Sequence, residues 1–449
     1  MKEDTITAIA TPPGIGAISI IRVSGPDSFR AVDEIFKGKV KISNSESHHV
    51  HYGKIHDFSG DLIDDVLISV FRAPRSYTCE DSVEISIHGN PNIATRILNL
   101  LVKLGVRLAE PGEFSKRAFI NGRFDLSQAE AVADLIKSSS DVSLRGARNQ
   151  LNGLLSRKIN TFRDTLLKLS SFLELELDFS EEDIGLIDRT AVSEETKKLI
   201  KEIDELLDSY SYGKVIRDGV NVAIVGEPNV GKSSILNYIL KESRSIVSKV
   251  PGTTRDIIRE EISIDGMLFK LFDTAGIRHS DDEIEKEGIN RSMESVKNAD
   301  IVLLIGDVQK GFSEDLIVDI KETNTTQKVI KVLNKSDLAY DKRINFDLLV
   351  SAKTGSGMSY LIKKLKEISL ETSIFSEKSA VVTNLRHYNC LSRAKVFLVN
   401  VLESLEKNLS GEFISVDLRN AEQSLAEIVG AITSEDILNN IFSKFCIGK

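Results

Sequence analysis

The segment Gly226-Glu-Pro-Asn-Val-Gly231-Lys232-Ser233 lies directly behind the apolar run Val222 to Val225 and ahead of a helix-forming stretch from Ile235 to Leu240. Few folds accommodate that order, because a phosphate loop of this pattern works only between a buried strand and the first turn of a helix. The glycines let successive backbone N–H groups converge on phosphate oxygens at the helix N-terminus. Lys232 is placed to reach β- and γ-phosphates, and the Ser233 hydroxyl to ligate Mg²⁺. The surrounding chain supplies the sheet such a loop needs. Continuous apolar runs at Val222 to Val225, Met267 to Phe272, Ile301 to Ile305 and Val329 to Leu333 each give way to a polar or Gly-containing loop, as strands buried on both faces require. A helix from Met358 to Leu370 closes this α/β region near Ile374.

Three further motifs follow in the order a guanine-nucleotide site demands. Asp273-Thr274-Ala275-Gly276, after the run Met267 to Phe272, offers a carboxylate to hold Mg²⁺ through water and a glycine N–H to sense the γ-phosphate. Asn334-Lys335-Ser336-Asp337 places a carboxylate that can accept two N–H bonds from the N1 and N2 edge of guanine; adenine lacks that donor pair and would leave the carboxylate without partners. Ser351-Ala352-Lys353 supplies a backbone N–H for the guanine carbonyl. One at a time these are short, common strings, and the loop alone could be a Gly-rich turn. Their order along successive strands points to GTP as substrate. Ras-like proteins carry a water-orienting Gln just after Asp-x-x-Gly, but here that residue is Ile277, and the nearest carboxylates are Asp281, Asp282, Glu283, Glu285 and Glu287. Asn229, inside the phosphate loop, offers a hard carbonyl ligand suited to a cation, or else caps the loop.

The rest of the chain has a different texture. Its 449 residues exceed one ordinary core, so two or three domains are expected. Short alternating strands at Thr5 to Ala10, Ala17 to Val23, Val66 to Phe71 and Ser82 to Ile87, with helices near Pro26 to Phe36 and Asn92 to Leu104, read as a small α+β domain. From Leu126 the spacing is helical: Leu144, Leu151, Leu155, Ile159, Phe162, Leu166, Leu169 and Leu173 predict one long amphipathic helix or a helix pair. The acidic run Ser180 to Asp183 reads as a solvated loop before a charged helix from about Ser193 to Tyr210. Helical spacing resumes at Tyr388 to Leu409, Asp417 to Ile432 and Ser434 to Phe445, so the α/β domain is inserted between two halves of a helical one. A net charge of -9 gives no autonomous attraction to a phosphate backbone. No run nears eighteen apolar residues and the start is acidic, which predicts a cytoplasmic protein without membrane association. Cys79, Cys390 and Cys446 form neither a zinc pair nor a disulfide framework; Cys79 and Cys390 read as packing residues.

Beyond the four nucleotide motifs, the chain carries Ala10-Thr-Pro-Pro-Gly14, Pro111-Gly-Glu-Phe-Ser115, Asp125-Leu-Ser-Gln-Ala-Glu130, Gly252-Thr-Thr-Arg-Asp256 and the terminal Phe445-Cys-Ile-Gly-Lys449. Together these resemble the MnmE (TrmE) tRNA-modification GTPases over essentially the whole chain. The resemblance implies a multidomain α+β and α/β protein: an N-terminal tetrahydrofolate-binding-like dimerisation domain over 1–118, a helical domain over 119–215 and 377–449, and a TrmE-type, Ras-like P-loop GTPase domain over 216–376. It also implies a homodimer working with an FAD-containing MnmG-type partner in a heterotetrameric or larger complex. That complex would place an aminomethyl or carboxymethylaminomethyl group on carbon 5 of the tRNA wobble uridine, using a carbon from 5,10-methylene-tetrahydrofolate or a related folate. GTP hydrolysis would be activated by K⁺, standing where other GTPases use an arginine finger.

Carried onto this chain, the resemblance puts K⁺ among Asn229, Ser248, Val250 and Thr253, and Mg²⁺ on Ser233 and Thr254. Val230, Gly231, Lys232, Ser234, Lys249, Pro251 and Gly252 complete the nucleotide-contacting loops, with a lysine at 249 where some members carry an aspartate. Glu285 would orient the attacking water through a bridging water; apart from the resemblance it is a solvated helix charge. Arg22, Glu84 and Arg123 fall on folate-contacting positions, with Lys449 at the chain's end, and Arg123 replaces a lysine found in some members. Cys446 falls near the folate, where its thiol could assist catalysis or simply pack. Era-like ribosome-assembly GTPases share the nucleotide motifs but append a basic RNA-binding module, at odds with this acidic chain. A membrane remodeller would need an amphipathic basic helix, which the sequence lacks.

Overall fold

The computed structural model describes residues 4–178, 189–242, 259–273, 296–323, 328–338, 344–370, 380–445 and 447–448. They fall into two compact units, one made of residues 1–133, 150–187 and 404–449, the other of 134–149 and 188–403. The acidic run Ser180 to Asp183 lies outside the described residues.

The first unit is built on a seven-stranded sheet: β1 (Ile6–Ile9), β2 (Ile18–Ser24), β3 (Phe36–Gly38), β4 (Val50–His56), β5 (Leu62–Phe71), β6 (Ser82–His88) and β7 (Arg107–Leu108). Its order is β3-β4-β5-β6-β2-β1-β7, antiparallel throughout except for the β1/β7 edge. Alternation explains why: along β5 Asp64, Val66, Ile68 and Val70 are buried while Leu67 is exposed, so one face takes the core and the other is left outward. Helices Ser28–Ile35 and Pro91–Lys103 cover the inner face with Val32, Ile35, Ile97 and Leu101, all essentially inaccessible and each stabilising by roughly 1.5–3 kcal/mol. The second of these helices starts where Asn90 accepts from the Asn92 amide ahead of Pro91. Strand β4 went unread because its sequence, Val-His-Tyr-Gly-Lys-Ile-His, offers only Gly53 and Ile55 to the core.

The expected helical stretch after Leu126 resolves into separate helices, Leu126–Lys137, Asp141–Leu151 and Leu154–Asp178. Gly153, at φ 77, breaks the last two apart and donates to the Gln150 carbonyl. Helix Leu154–Asp178 packs against Gly411–Val429, burying Leu155, Ile159, Phe162 and Leu166 against Ile414, Leu418 and Leu425, with Arg163 held by Glu422 at 2.9 Å. Helix Gly411–Val429 starts and stops before the expected Asp417 to Ile432, because Ser410 is extended at its start and Gly430 adopts a left-handed φ of 79 at its end. Helix Glu435–Phe442 follows, and its Phe442 packs with Phe445, Phe119, Leu126 and Ala129.

The second unit holds β8 (Val220–Val225), β9 (Arg259–Ile264), β10 (Met267–Asp273), β11 (Ile301–Asp307), β12 (Lys328–Asn334) and β13 (Leu348–Leu349), in the order β13-β12-β11-β8-β10-β9. All neighbours are parallel except β9, which folds back antiparallel on β10 through the Asp265-Gly266 turn. Val222 and Ile224 of β8 enter one core, with helices Lys232–Glu242 and Met358–Leu370; Ala223 and Val225 enter the other, with helix Glu314–Thr323. Helix Leu385–Glu406 begins three residues earlier than its apolar rhythm implies, because the Asn384 side chain accepts from the Arg386 amide. Among the described residues no helix is long and apolar enough to cross a membrane.

Candidate functional site

In a sheet of parallel strands the C-terminal ends line one edge, and here they carry every described nucleotide motif. β8 ends at Val225, and the phosphate loop turns into helix Lys232–Glu242. A side chain at Gly226 would drive into the Ile305 carbonyl, and one at Gly231, whose φ is 96, into the Asn334 amide; both positions therefore need glycine. Asn229 also adopts a left-handed φ, of 64, and its exposed side chain makes no hydrogen bond among the described residues, which leaves the capping alternative without a partner. Buried Lys232 curls over the loop, its Nζ donating to the carbonyls of Gly226 at 2.6 Å and Glu227 at 2.9 Å. Ser233 and Ser234 open the helix on its exposed side. Next to β8, strand β10 delivers Asp273 opposite Ile224, level with the start of the loop.

The base-recognition loops meet at the ends of β12 and β13. Asn334 is buried and ties them together: its Nδ2 donates to the Val230 carbonyl at 2.9 Å, and its Oδ1 accepts from the Ala352 amide at 3.1 Å. Lys335 takes a left-handed φ of 69, and its Nζ reaches Asp307 Oδ2 at 2.7 Å. Asp337 is exposed, as a group meant for a ligand must be, and Ser351 Oγ donates to its Oδ1 at 2.7 Å. That hydrogen bond holds the Asp337 carboxyl below its ordinary value, so it is ionised and acceptor-only at neutral pH. Lys353 adds a nearby positive charge in the same direction. Asp307 is a site residue the sequence reading missed. Burial pushes its carboxyl up, but Lys335 and the Gln309 amide overcome that and hold it below the usual range. The only signal was that the run Ile301 to Ile305 closes on a carboxylate, Gly306-Asp307.

The second site sits in the first unit, a cavity of about 590 Å³ lined by Arg22, His48, Phe71, Arg75, Tyr77, Cys79, Glu84 and Arg123 among others. Antiparallel register makes it: Arg22 on β2 faces Glu84 on β6, and their side chains bond at 2.8 and 3.0 Å. The Arg22 guanidinium also donates to the Gly448 carbonyl at 3.1 Å, fixing the end of the chain against the start of the sheet, where Gly448 lies tight on Ile9 and Ala10. Two cations lie over the Tyr77 ring, Arg22 and Arg123 at 5.1 and 5.0 Å from its centre. Burial pushes the Tyr77 phenol up, so it is neutral and bonds Ser115 Oγ at 2.8 Å. Arg123 is anchored on the Ser76 carbonyl. Cys390 is buried as a packing residue, whereas Cys79, half-buried at φ 58, is a wall of the cavity instead.

The structure thus brings Asn229 through Ser234 together with Asn334, Lys335, Asp337, Ser351, Ala352 and Lys353, and separately Arg22 with Glu84 and Arg123. Ser248, Lys249, Val250, Pro251, Gly252, Thr253, Thr254, Thr274, Ala275, Gly276, Glu285, Cys446 and Lys449 lie outside the described residues, and of Asp273 only the backbone is described.

Comparison with known proteins covers the whole chain. A family described as "GTP-binding protein TrmE N-terminus" matches residues 5–123, and one described as "MnmE helical domain" matches residues 126–446. The chain is 43% identical to a "tRNA modification GTPase MnmE" of Cytophaga hutchinsonii, over 99% of this chain and 98% of that one. It is 40% identical to the protein of that name from Acetivibrio thermocellus, over 100% of both, and 43% identical to that of Christiangramia forsetii, over 100% of this chain and 99% of the other.

Proposed function

The chain belongs to the MnmE family of tRNA modification GTPases, and on that premise we propose that it hydrolyses GTP in a K⁺-activated cycle that drives modification of carbon 5 of the tRNA wobble uridine. The single observation that carries this reading is the presence, in one chain, of a phosphate loop tied to its base-recognition loops and of an arginine-walled cavity whose Arg22 also holds the Gly448 carbonyl.

Hydrolysis needs little covalent chemistry from the protein, so its residues act by position and charge. The loop amides from Asn229 to Ser233 face the phosphates, and Lys232, already loaded with two carbonyl acceptors, exchanges them for phosphate oxygens. Asp337, oriented by Ser351, selects guanine. Ser233 with Thr254 would hold Mg²⁺, and Glu285 would orient water where Ile277 cannot. Asn229 suits a monovalent cation, since its exposed side-chain amide makes no hydrogen bond among the described residues; Ser248, Val250 and Thr253 would complete that set. K⁺ bound there would supply positive charge to the developing γ-phosphate charge.

The cavity fits a folate in size, and its residues fit in kind: Glu84 and Arg22 offer an acceptor and donors for a pterin edge, Tyr77 a face, and Arg123 a cation for a carboxylate. A bound 5,10-methylene-tetrahydrofolate would supply the one-carbon unit. Domains over 1–118, 119–215 with 377–449, and 216–376 would then divide folate binding, scaffolding and GTP hydrolysis, in a cytoplasmic homodimer joined to an FAD-containing MnmG-type partner and tRNA. Mass spectrometry of tRNA nucleosides from cells lacking the protein tests this: the modified wobble uridine disappears and returns with the wild-type chain. Intact modification would favour ribosome assembly instead.

A further inference from the structure

Asp307 and Lys335 form a contact that none of the nucleotide motifs accounts for. Asp307 ends β11 directly opposite Asn334 of β12, so strand register delivers it to the base-recognition loop. It is only 6% exposed, and its two oxygens are used separately: Oδ1 accepts from the Gln309 amide at 2.9 Å, and Oδ2 from Lys335 Nζ at 2.7 Å. Lys335 holds a left-handed backbone, a conformation that persists in a residue with a side chain only where the surroundings over-determine it. Those surroundings are on either side: Asn334 is stitched to Val230 and Ala352, the Ser336 amide donates to the Val350 carbonyl at 3.0 Å, and the Leu338 amide to the Lys335 carbonyl at 2.9 Å. A lysine left to itself is a flexible stem with a strongly hydrated head. Here the head is tethered at the end of β11 while the backbone is fixed two residues from Asp337, so both ends of the apolar stem are held beside the loop that would read a planar base.

We propose that Asp307 is a positioning residue for guanine-nucleotide retention, clamping the Lys335 ammonium so that the lysine stem forms a wall of the base subsite. The proposal rests on the guanine-nucleotide reading above. The competing role for Asp307 is local: through Gln309 it ties the turn from Asp307 to Gly311, whose amides close back on the Asp307 carbonyl. Asp307→Asn separates the two, since an amide oxygen still accepts from Gln309 while the charge opposite Lys335 is gone. Loss of a charge-assisted bond at the subsite is expected to speed release of a fluorescent GDP analogue from the full-length protein by about tenfold. Lys335→Met, on a partly exposed side chain, tests the contact from its other end with a similar acceleration. The double variant D307N/K335M should release no faster than K335M alone, with melting midpoints unchanged. A D307N release rate equal to wild type overturns the proposal, as does a double variant that shows the product of the two single effects. Wild-type protein that binds no GDP analogue would overturn the nucleotide reading and this proposal with it, whereas wild-type binding with an indifferent D307N overturns this proposal alone.

Discussion

Changing Asp337 to Asn should turn a guanine site toward xanthine, and the geometry sets how far. Ser351 Oγ already occupies one lone pair of Oδ1 at 2.7 Å, so the carboxylate is fixed in direction and its outward lone pairs face the ligand. Guanine presents two donors to them, N1–H and the N2 amino group. An asparagine there keeps one acceptor and turns an NH₂ group toward a donor, so one bond survives without its charge and the other becomes a clash. Each is worth about tenfold to a hundredfold, and the combined loss of GTP affinity is therefore on the order of 10² to 10⁴. Xanthosine triphosphate carries an oxygen where guanine has its amino group and regains that bond with the new NH₂. Titration of Asp337→Asn with fluorescent GDP and XDP analogues reads the exchange directly. Ser351→Ala leaves the carboxylate in place but untethered, and should cost GDP affinity only a few-fold, because the bond removed orients the acceptor and is not itself made to the base. An unaltered GDP-over-XDP ratio in Asp337→Asn, or a Ser351→Ala loss as large as that of Asp337→Asn, would refute the guanine-edge assignment.

Asn229→Ala should abolish the preference for K⁺ over Na⁺ in steady-state GTP turnover while leaving GDP affinity within a few-fold; a K⁺ stimulation equal to wild type would move the cation elsewhere. Arg22→Met removes the partner of both Glu84 and the Gly448 carbonyl, so tetrahydrofolate binding by calorimetry should fall at least about tenfold and the C-terminal segment should become open to carboxypeptidase. Acid should weaken the first unit in a definite window. Asp4, hydrogen-bonded by Arg107, and Glu113, which burial pushes up but Arg107 and Arg117 pull down further, both have carboxyls held below their ordinary values of 3.8 and 4.5. Groups depressed in the folded state stabilise it fully above those values and lose that contribution as the pH falls through the lower, folded ones. The melting midpoint should thus be flat near neutrality and drop below about pH 4.5, and Arg117→Met, which strips the buried cation from Asp4, Glu80 and Glu113, should flatten the acid limb; an unchanged limb would remove this network from the account.

What the sequence disclosed depended on how local each feature is. The phosphate loop was legible because Gly226, Gly231 and Lys232 fall within eight consecutive residues, although the close approach that demands glycine at the first two comes from Ile305 and Asn334, far along the chain. Helix ends were less so: the boundaries at Leu385 and Gly411 were set by Asn384 and Ser410, polar residues outside the apolar rhythm that defines the helix body. Strand β4 and the edge strand β9 escaped altogether, since Val-His-Tyr-Gly-Lys-Ile-His and Arg-Glu-Glu-Ile-Ser-Ile show too little of their inner faces to alternate clearly. Arg22, Glu84 and Arg123 came only from family resemblance, because nothing within reach of any one of them names the other two.

The contrast between the two sites has a topological cause. In the second unit β8, β10, β11, β12 and β13 run the same way, so any motif placed just after a strand arrives at the same edge whatever the lengths between them. Motif order along the chain is then enough to assemble a nucleotide site, and the one described member that was missed, Asp307, was missed for its residue type rather than its place. In the first unit neighbouring strands alternate in direction except at the β1/β7 edge, and the meeting of Arg22 with Glu84 depends on the pairing of β2 with β6, where a slip of one residue would send Glu84 to the opposite face. That register is fixed by Ile21, Val23, Val83 and Ile85 in the core, not by the charged pair. The cavity therefore stands on hydrophobic residues that never touch a ligand, and a Val83→Asn variant that still folds should lose folate affinity with Arg22, Glu84 and Arg123 all intact.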